Sequence, residues 1–169
     1  MKVPIAEAQA RSDANLAAYL RHAASHAPGG TVSDEKGVLL YAGAHPNPAP
    51  FINGLLRLEA GVAPEDVLDR AAAFFAPLKR SYAVWIRGHA DDDLESAVLA
   101  RGFWSRPPPE GQPGIAVDHP LPTTALADSV AVRRVDDETS ARDYLSVLGD
   151  AYGMDDSPAE LVWAQFLQP

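Results

Sequence analysis

Residues 58–67, LEAGVAPEDV, have the residue types and spacing of a turn that could bind a phosphate. Gly61 and Ala63 follow a predicted strand, and Pro64 stands where the first residue of a helix is expected. The amide groups of such a turn, together with the N-terminus of the next helix, can bind an anion. The same residues also suit an ordinary strand-to-helix turn without a ligand, so the sequence leaves two interpretations.

The charges around this turn favour the interpretation without a ligand. Pro64 has no amide proton, which removes one donor to an anion. Glu65 and Asp66 place two negative charges at the start of the helix, where an anionic ligand needs positive potential. At an effective dielectric constant of about 20 to 40, each charge would oppose a phosphate about 6 Å away by roughly a kcal/mol or more.

The elements that must position this turn follow an α/β pattern. The segment 81–88, SYAVWIRG, is apolar on both faces, which predicts a central strand covered by helices on both sides. Gly54 interrupts an apolar strand and indicates a bulge or a close approach of backbone. We expect strands at 37–43, 51–58, 81–88 and 114–119, and helices from Ile5 to about Ala24, from Pro64, and from a cap at Asp91–Asp93 to Gly102.

The order strand–helix–strand–helix–strand from about 51 to 118, with Gly102-Phe103 after the second helix, resembles the C-terminal half of a GNAT-type N-acetyltransferase. In that family a loop of pattern Gln/Arg-x-x-Gly-x-Gly/Ala holds the pyrophosphate of coenzyme A. The resemblance implies a GNAT-like mixed, twisted sheet flanked by helices, with acetyl-CoA as the cofactor. It makes Arg57, Gly61 and Ala63 the candidate cofactor-binding residues. Asn53, a polar residue in an otherwise apolar strand, is the candidate substrate-binding residue.

Three positions depart from the family pattern. Leu58 stands where the loop has Gln or Arg, and Asp91 stands where the second helix often opens with Asn. Val98 stands where the family often has a Tyr that protonates the departing thiolate, and Val cannot donate a proton. No catalytic acid or base is therefore assigned, and we expect a degenerate GNAT-like domain.

A second unit of the same kind is predicted towards the end of the sequence. VAVRRV (130–135) alternates with period two and predicts a strand, a helix follows Asp136, and Pro158 opens a final helix. Together they resemble the start of another GNAT-like domain. The predicted divisions are an N-terminal helix and loop (1–36), a degenerate GNAT-like domain (37–119), a linker (120–129) and the start of a second GNAT-like domain (130–169).

Composition limits the classes of partner. The formal charge of −9 over 169 residues, with scattered Lys and Arg, argues against binding nucleic acid. The sequence contains no cysteine, which excludes thiolate chemistry. It has no signal-peptide pattern and no apolar run near the roughly 20 residues that cross a bilayer, so we expect a soluble cytoplasmic protein. His22 and His26 have no evident third ligand, and no metal site is predicted.

These observations leave three functional hypotheses. The leading one is the N-terminal part of an acetyl-CoA-dependent N-acetyltransferase that acts on an amine of a small molecule or peptide, with its catalytic centre outside this chain. The alternative is a catalytically silent GNAT-like module for assembly or ligand binding. The third is an active acetyltransferase in which Arg57 and the backbone of 61–63 hold the pyrophosphate. On the predicted final helix, Trp163, Phe166 and Leu167 are expected to pack in a homodimer or against another part of the protein.

Overall fold

The computed structural model describes residues 3–43, 50–104, 130–135 and 137–152. Their elements follow one another in the order α1 (Ile5–His26), β1 (Thr31–Glu35), β2 (Val38–Ala42), β3 (Asn53–Arg57), α2 (Pro64–Phe75), β4 (Ala83–Trp85), α3 (Asp92–Ala100) and α4 (Glu138–Tyr152).

The four strands form one mixed sheet in the order β1-β2-β3-β4. The first three strands pair antiparallel, and β3 and β4 pair parallel through Gly54↔Ala83, Leu55↔Val84 and Leu56↔Trp85. Parallel strands need a crossover connection, and α2 supplies it. The chain is therefore an α/β protein whose mixed sheet is flanked by helices, which confirms the coarse fold class predicted from the sequence.

Strand β2 is buried along its whole length because both faces of the sheet are covered. On one face Val38, Leu40 and Ala42 pack with α2 and α3, and on the other Leu39 and Tyr41 pack with α1. Two apolar clusters therefore lie on opposite faces of the sheet. The first contains Val38, Leu40, Ala42, Leu55, Val67, Leu68, Ala71, Phe75, Leu94 and Val98, and the second contains Ala17, Leu20, Ala24, Leu39, Tyr41 and Leu56.

Gly54 in β3 permits the predicted close approach of backbone, because a Cβ atom there would lie 2.9 Å from the Ala83 carbonyl oxygen of β4. A Cβ atom at this position would clash with the Tyr41 hydroxyl group. That hydroxyl donates a hydrogen bond to the Pro50 carbonyl and accepts one from the Trp85 indole, with 2.7 Å between Nε1 and Oη. Because Gly54 has no side chain, these polar atoms of Tyr41 and Trp85 meet above the sheet.

Three predictions about the strands are wrong. The structure contains β1 at Thr31–Glu35, where the sequence predicted a loop. The segment 81–88 forms a strand only at Ala83–Trp85, which is half-buried and lies at the edge of the described sheet. Residues 130–135 form no strand, although α4 follows them as predicted.

Several other predictions fall outside the described residues. These are the strand at 114–119, the linker at 120–129, and the final helix with Trp163, Phe166 and Leu167. Among the helices that the structure does describe, none combines the length and the apolar character that crossing a bilayer would require.

Candidate functional site

The parallel strands β3 and β4 bring two arginines to the same edge of the sheet. Their pairing ends at Leu56↔Trp85, Arg57 is the last residue of β3, and Arg87 lies two residues after β4. In open α/β sheets, ligands commonly bind outside the carboxyl ends of such strands. A ligand-binding site is therefore expected at this edge of the sheet.

Arg57 is completely inaccessible to solvent, and all of its donors are used within the protein. Nε donates to Asp91 Oδ1 at 2.9 Å. Nη1 donates to the Val62 carbonyl at 3.2 Å and to Asp93 Oδ2 at 3.1 Å. Nη2 donates to the Ala90 carbonyl at 2.9 Å and to Asp93 Oδ1 at 2.6 Å. A guanidinium has five N–H donors, and these five hydrogen bonds account for all of them.

Asp91 is the buried counter-ion of both arginines. Its Oδ2 accepts hydrogen bonds from the Arg87 backbone N at 2.9 Å and from Arg87 Nε at 2.8 Å. Its Oδ1 accepts from Arg57 Nε and from Arg87 Nη2, the latter at 3.0 Å. Burial alone would raise the pKa of Asp91, but the hydrogen bonds from Arg87 and Arg57 outweigh it and hold the pKa below its ordinary value. Asp91 therefore stays ionised.

Helix α1 joins the same cluster through Asp13. Arg87 Nη1 donates to Asp13 Oδ2 at 2.9 Å, and His89 Nε2 lies 3.0 Å from the same oxygen. We call Arg57, Arg87 and Asp91, with Asp13, His89 and Asp93 at their rim, the charge cluster. Its two arginines face three aspartates, so these five side chains carry one excess negative charge. It offers no net positive potential to an anion.

The turn between β3 and α2 uses much of its backbone hydrogen bonding internally. The amides of Leu58 and Glu59 both donate to the Gly37 carbonyl, at 2.7 and 3.1 Å, and the Val62 amide donates to the Glu59 carbonyl at 3.1 Å. Two amides of the segment that resembles a phosphate-binding loop are therefore already hydrogen-bonded to the β1–β2 hairpin. Gly61 is exposed, and a Cβ atom there would meet nothing within 4 Å.

The candidate residues from the sequence do not form one site. Arg57 lies beside the β3–α2 turn and contacts its Val62 carbonyl, but its guanidinium faces carboxylates. Gly61 and Ala63 are exposed in that turn, and α2 begins at Pro64 with Glu65 and Asp66 in its first turn. Asn53 is buried at the opposite end of β3, roughly 13 Å from Arg57 at the usual rise per residue of a strand.

The sequence interpretation missed the charge cluster, in which Asp91 and Asp93 bind Arg57 while Arg87 binds Asp91 and Asp13. Asp91 was expected to cap α3, and it does occupy the N-cap position, but its side chain makes no capping hydrogen bond. Instead its carboxylate binds the two arginines, so the predicted cap at Asp91–Asp93 is confirmed in position but not as a side-chain hydrogen bond of Asp91. A usable signal was present, since Arg57 and Arg87 each end an apolar strand segment, where a charge needs a partner.

Neither a proton donor at position 98 nor a metal-type cluster occurs among the described residues. Val98, where the resemblance would place a proton donor, is buried in the apolar cluster beside α2. Among the described residues, no group of three or more His, Asp or Glu side chains has the arrangement of a metal site. The charge cluster is therefore an ion-pair assembly that joins α1, β3 and α3 around the β4–α3 turn.

Comparison with protein-family models, with curated proteins and with solved structures gives no match.

Proposed function

We propose that this chain contains a degenerate GNAT-like domain without catalytic activity of its own, within an acetyl-CoA-dependent N-acetyltransferase whose acetyl-transfer centre lies outside this chain. The fold supports the proposal at a coarse level, because the mixed sheet carries a parallel strand–helix–strand unit where the sequence resembles the family. The acceptor in such an enzyme would be an amine of a small molecule or peptide.

The observation that carries the proposal is the complete internal use of the Arg57 donors. Arg57 is the cation nearest in sequence to the expected pyrophosphate loop, yet its guanidinium is buried against Asp91 and Asp93. Binding a diphosphate there would require displacing at least the Asp93 carboxylate, while the buried Asp91 carboxylate would stay paired with the same guanidinium. The acidic start of α2 adds a further opposing field.

Titration of the chain with acetyl-CoA tests this proposal directly. We expect no binding heat in calorimetry and no rise in melting temperature at millimolar acetyl-CoA. A rise that disappears in Gly61→Asp but persists in Gly88→Asp would place the cofactor at the β3–α2 turn and contradict the proposal. Gly88 is a matched control, because it is also exposed in a strand-to-helix turn and a Cβ atom there meets nothing within 4 Å.

A second candidate is a silent module that serves assembly, and exposed apolar side chains favour it. Trp104 is 78 % exposed, and Val132 and Val147 are also well exposed. Sedimentation velocity over a range of concentrations tests this candidate. Self-association that is weakened by Val147→Glu but not by the neighbouring exposed Ser146→Glu would support it, and a strictly monomeric chain would argue against self-assembly.

A further inference from the structure

The ion pair between Arg57 and Asp93 differs from the others in the charge cluster because its carboxylate faces solvent. Arg57 and Asp91 are inaccessible, whereas the Asp93 side chain is 58 % exposed. Of the two carboxylates bound to Arg57, only that of Asp93 could therefore be exchanged with a solute without opening the interior.

Arg57 and the Leu94 amide bind the Asp93 carboxylate with the hydrogen-bond geometry that a bound oxyanion would have. Nη1 and Nη2 of Arg57 each donate to a different oxygen of Asp93, at 3.1 and 2.6 Å. The Leu94 amide donates to Oδ1 at 2.9 Å. Two parallel N–H donors from one guanidinium form the bidentate geometry that carboxylates and phosphates share.

The rest of the cluster keeps Arg57 in place without Asp93. Nε still donates to Asp91, and one donor of each terminal nitrogen binds the carbonyl of Val62 or Ala90. If Asp93 is removed, two arginines face two aspartates, so the cluster loses the excess negative charge that repels an anion. Its geometry would then present two guanidinium donors and one amide.

We propose that Arg57 and the Leu94 amide form an oxyanion-binding site that Asp93 occupies from within the chain. A solute carrying a phosphate or carboxylate group binds there only when the Asp93 side chain is displaced or absent. The contact is autoinhibitory, since the protein supplies the anion that closes its own site. The inference shares Arg57 with the proposed function, but it is tested with inorganic phosphate on Asp93 variants, whereas the proposed function is tested with acetyl-CoA on the wild type, so either can fail alone.

Inorganic phosphate added to Asp93→Ala is the primary test. We expect the melting temperature of this variant to rise by about 3 °C or more in 100 mM phosphate, relative to sodium chloride of equal ionic strength at pH 7, as a millimolar site predicts. The wild type should gain only the smaller stabilisation that phosphate gives to folded proteins by exclusion from their surface. Asp92→Ala is the matched control, because it removes the same charge from the same turn of α3 and should behave as the wild type does.

NMR spectroscopy of the arginine side chains locates the bound phosphate. In a ¹⁵N-labelled Asp93→Ala variant, phosphate should shift the Nε resonance of Arg57 more than that of Arg101, which forms exposed ion pairs with Glu65 and Asp69. Acetate in place of phosphate distinguishes a site that accepts any oxyanion from one that requires a phosphate. Either result supports the site and identifies its ligand class.

Asp93→Asn keeps the test decisive if the alanine variant folds poorly. An Asp93→Ala protein that folds only with phosphate would support the proposal, as would phosphate stabilisation of a folded Asp93→Asn. The proposal is overturned if the folded variants gain no more from phosphate than Asp92→Ala gains. It is also overturned if Asp93→Ala remains unfolded with phosphate while Asp93→Asn matches that control.

Discussion

Two strand-to-helix turns lie at the same edge of the sheet, and they differ in whether they enclose buried charges. The β3–α2 turn, residues 58–63, is largely exposed, and several of its amides are bonded within the backbone. The β4–α3 turn, residues 86–91, encloses a buried aspartate bound by two arginines. The first turn has the glycine spacing of an anion site, whereas the second has the guanidinium groups that an anion would need.

At one edge of a sheet, the backbone pattern of an anion site and the charges that an anion would need can therefore lie in different turns. A glycine spacing such as that around Gly61 constrains only the path of the chain. Binding an anion also requires donors with unused capacity and a positive potential. Arg57 could have supplied both to the first turn, but Asp91 of the second turn and Asp93 of α3 neutralise its charge.

The largest expected effect comes from removing the shared arginine. Arg57→Met keeps much of the apolar stem but leaves the Asp91 carboxylate with one arginine in a buried environment. We expect a loss of about 3 to 5 kcal/mol in the free energy of unfolding, measured by urea denaturation. The control is Arg101→Met, which removes exposed ion pairs and should change stability little. Equal effects of the two variants would show that the burial of Arg57 has no energetic consequence.

A somewhat smaller effect is expected from Asp91→Asn, with a distinctive dependence on pH. At pH 7 this change should cost about 2 to 4 kcal/mol, because it removes the charge that compensates two arginines. The folded-state pKa of Asp91 is depressed, so its stabilisation is present above the unfolded pKa of about 3.9 and is lost as the pH falls through the lower folded value.

Urea denaturation from pH 6 to pH 3 measures this dependence. Stability should fall towards pH 3 more steeply in the wild type than in Asp91→Asn, since the variant lacks the carboxylate whose protonation is coupled to unfolding. Parallel acid dependences in the two proteins would mean that Asp91 does not contribute through its charge.

The smallest effects on stability are expected from one glycine in the β3–α2 turn and one beside it. Gly37 has φ +74°, and a Cβ atom there would lie 2.8 Å from Glu59 Cβ, so Gly37→Ala should cost about 1 to 2 kcal/mol. Gly61→Ala should change stability by less than about 0.5 kcal/mol, because its side chain would meet open space. Urea denaturation of both variants checks this order, and a larger cost at Gly61 would show that its backbone conformation is more restricted than the structure indicates.

The sequence predicts the helices of this protein better than its strands. Local chemistry marks these helices. Pro64 and the apolar stripe after it mark the start of α2, and Gly102 follows the end of α3. The strand β1, TVSDE, was missed because it is polar and short, and it forms by pairing with the apolar β2. The predicted strand at 130–135 fails for the complementary reason, since alternation of side chains alone supplies no partner strand.

Sequence patterns alone predict an α/β protein with acidic helix starts and no thiol chemistry, because these properties follow from periodicity, composition and residues close in the chain. The role of Arg57 depends instead on contacts that form only in the folded protein. Its carboxylate partners are 34 and 36 residues further along the chain, and they reach it because two parallel strands end at the same edge. Local patterns record where a charge is, whereas folding decides which opposite charge lies within hydrogen-bonding distance of it.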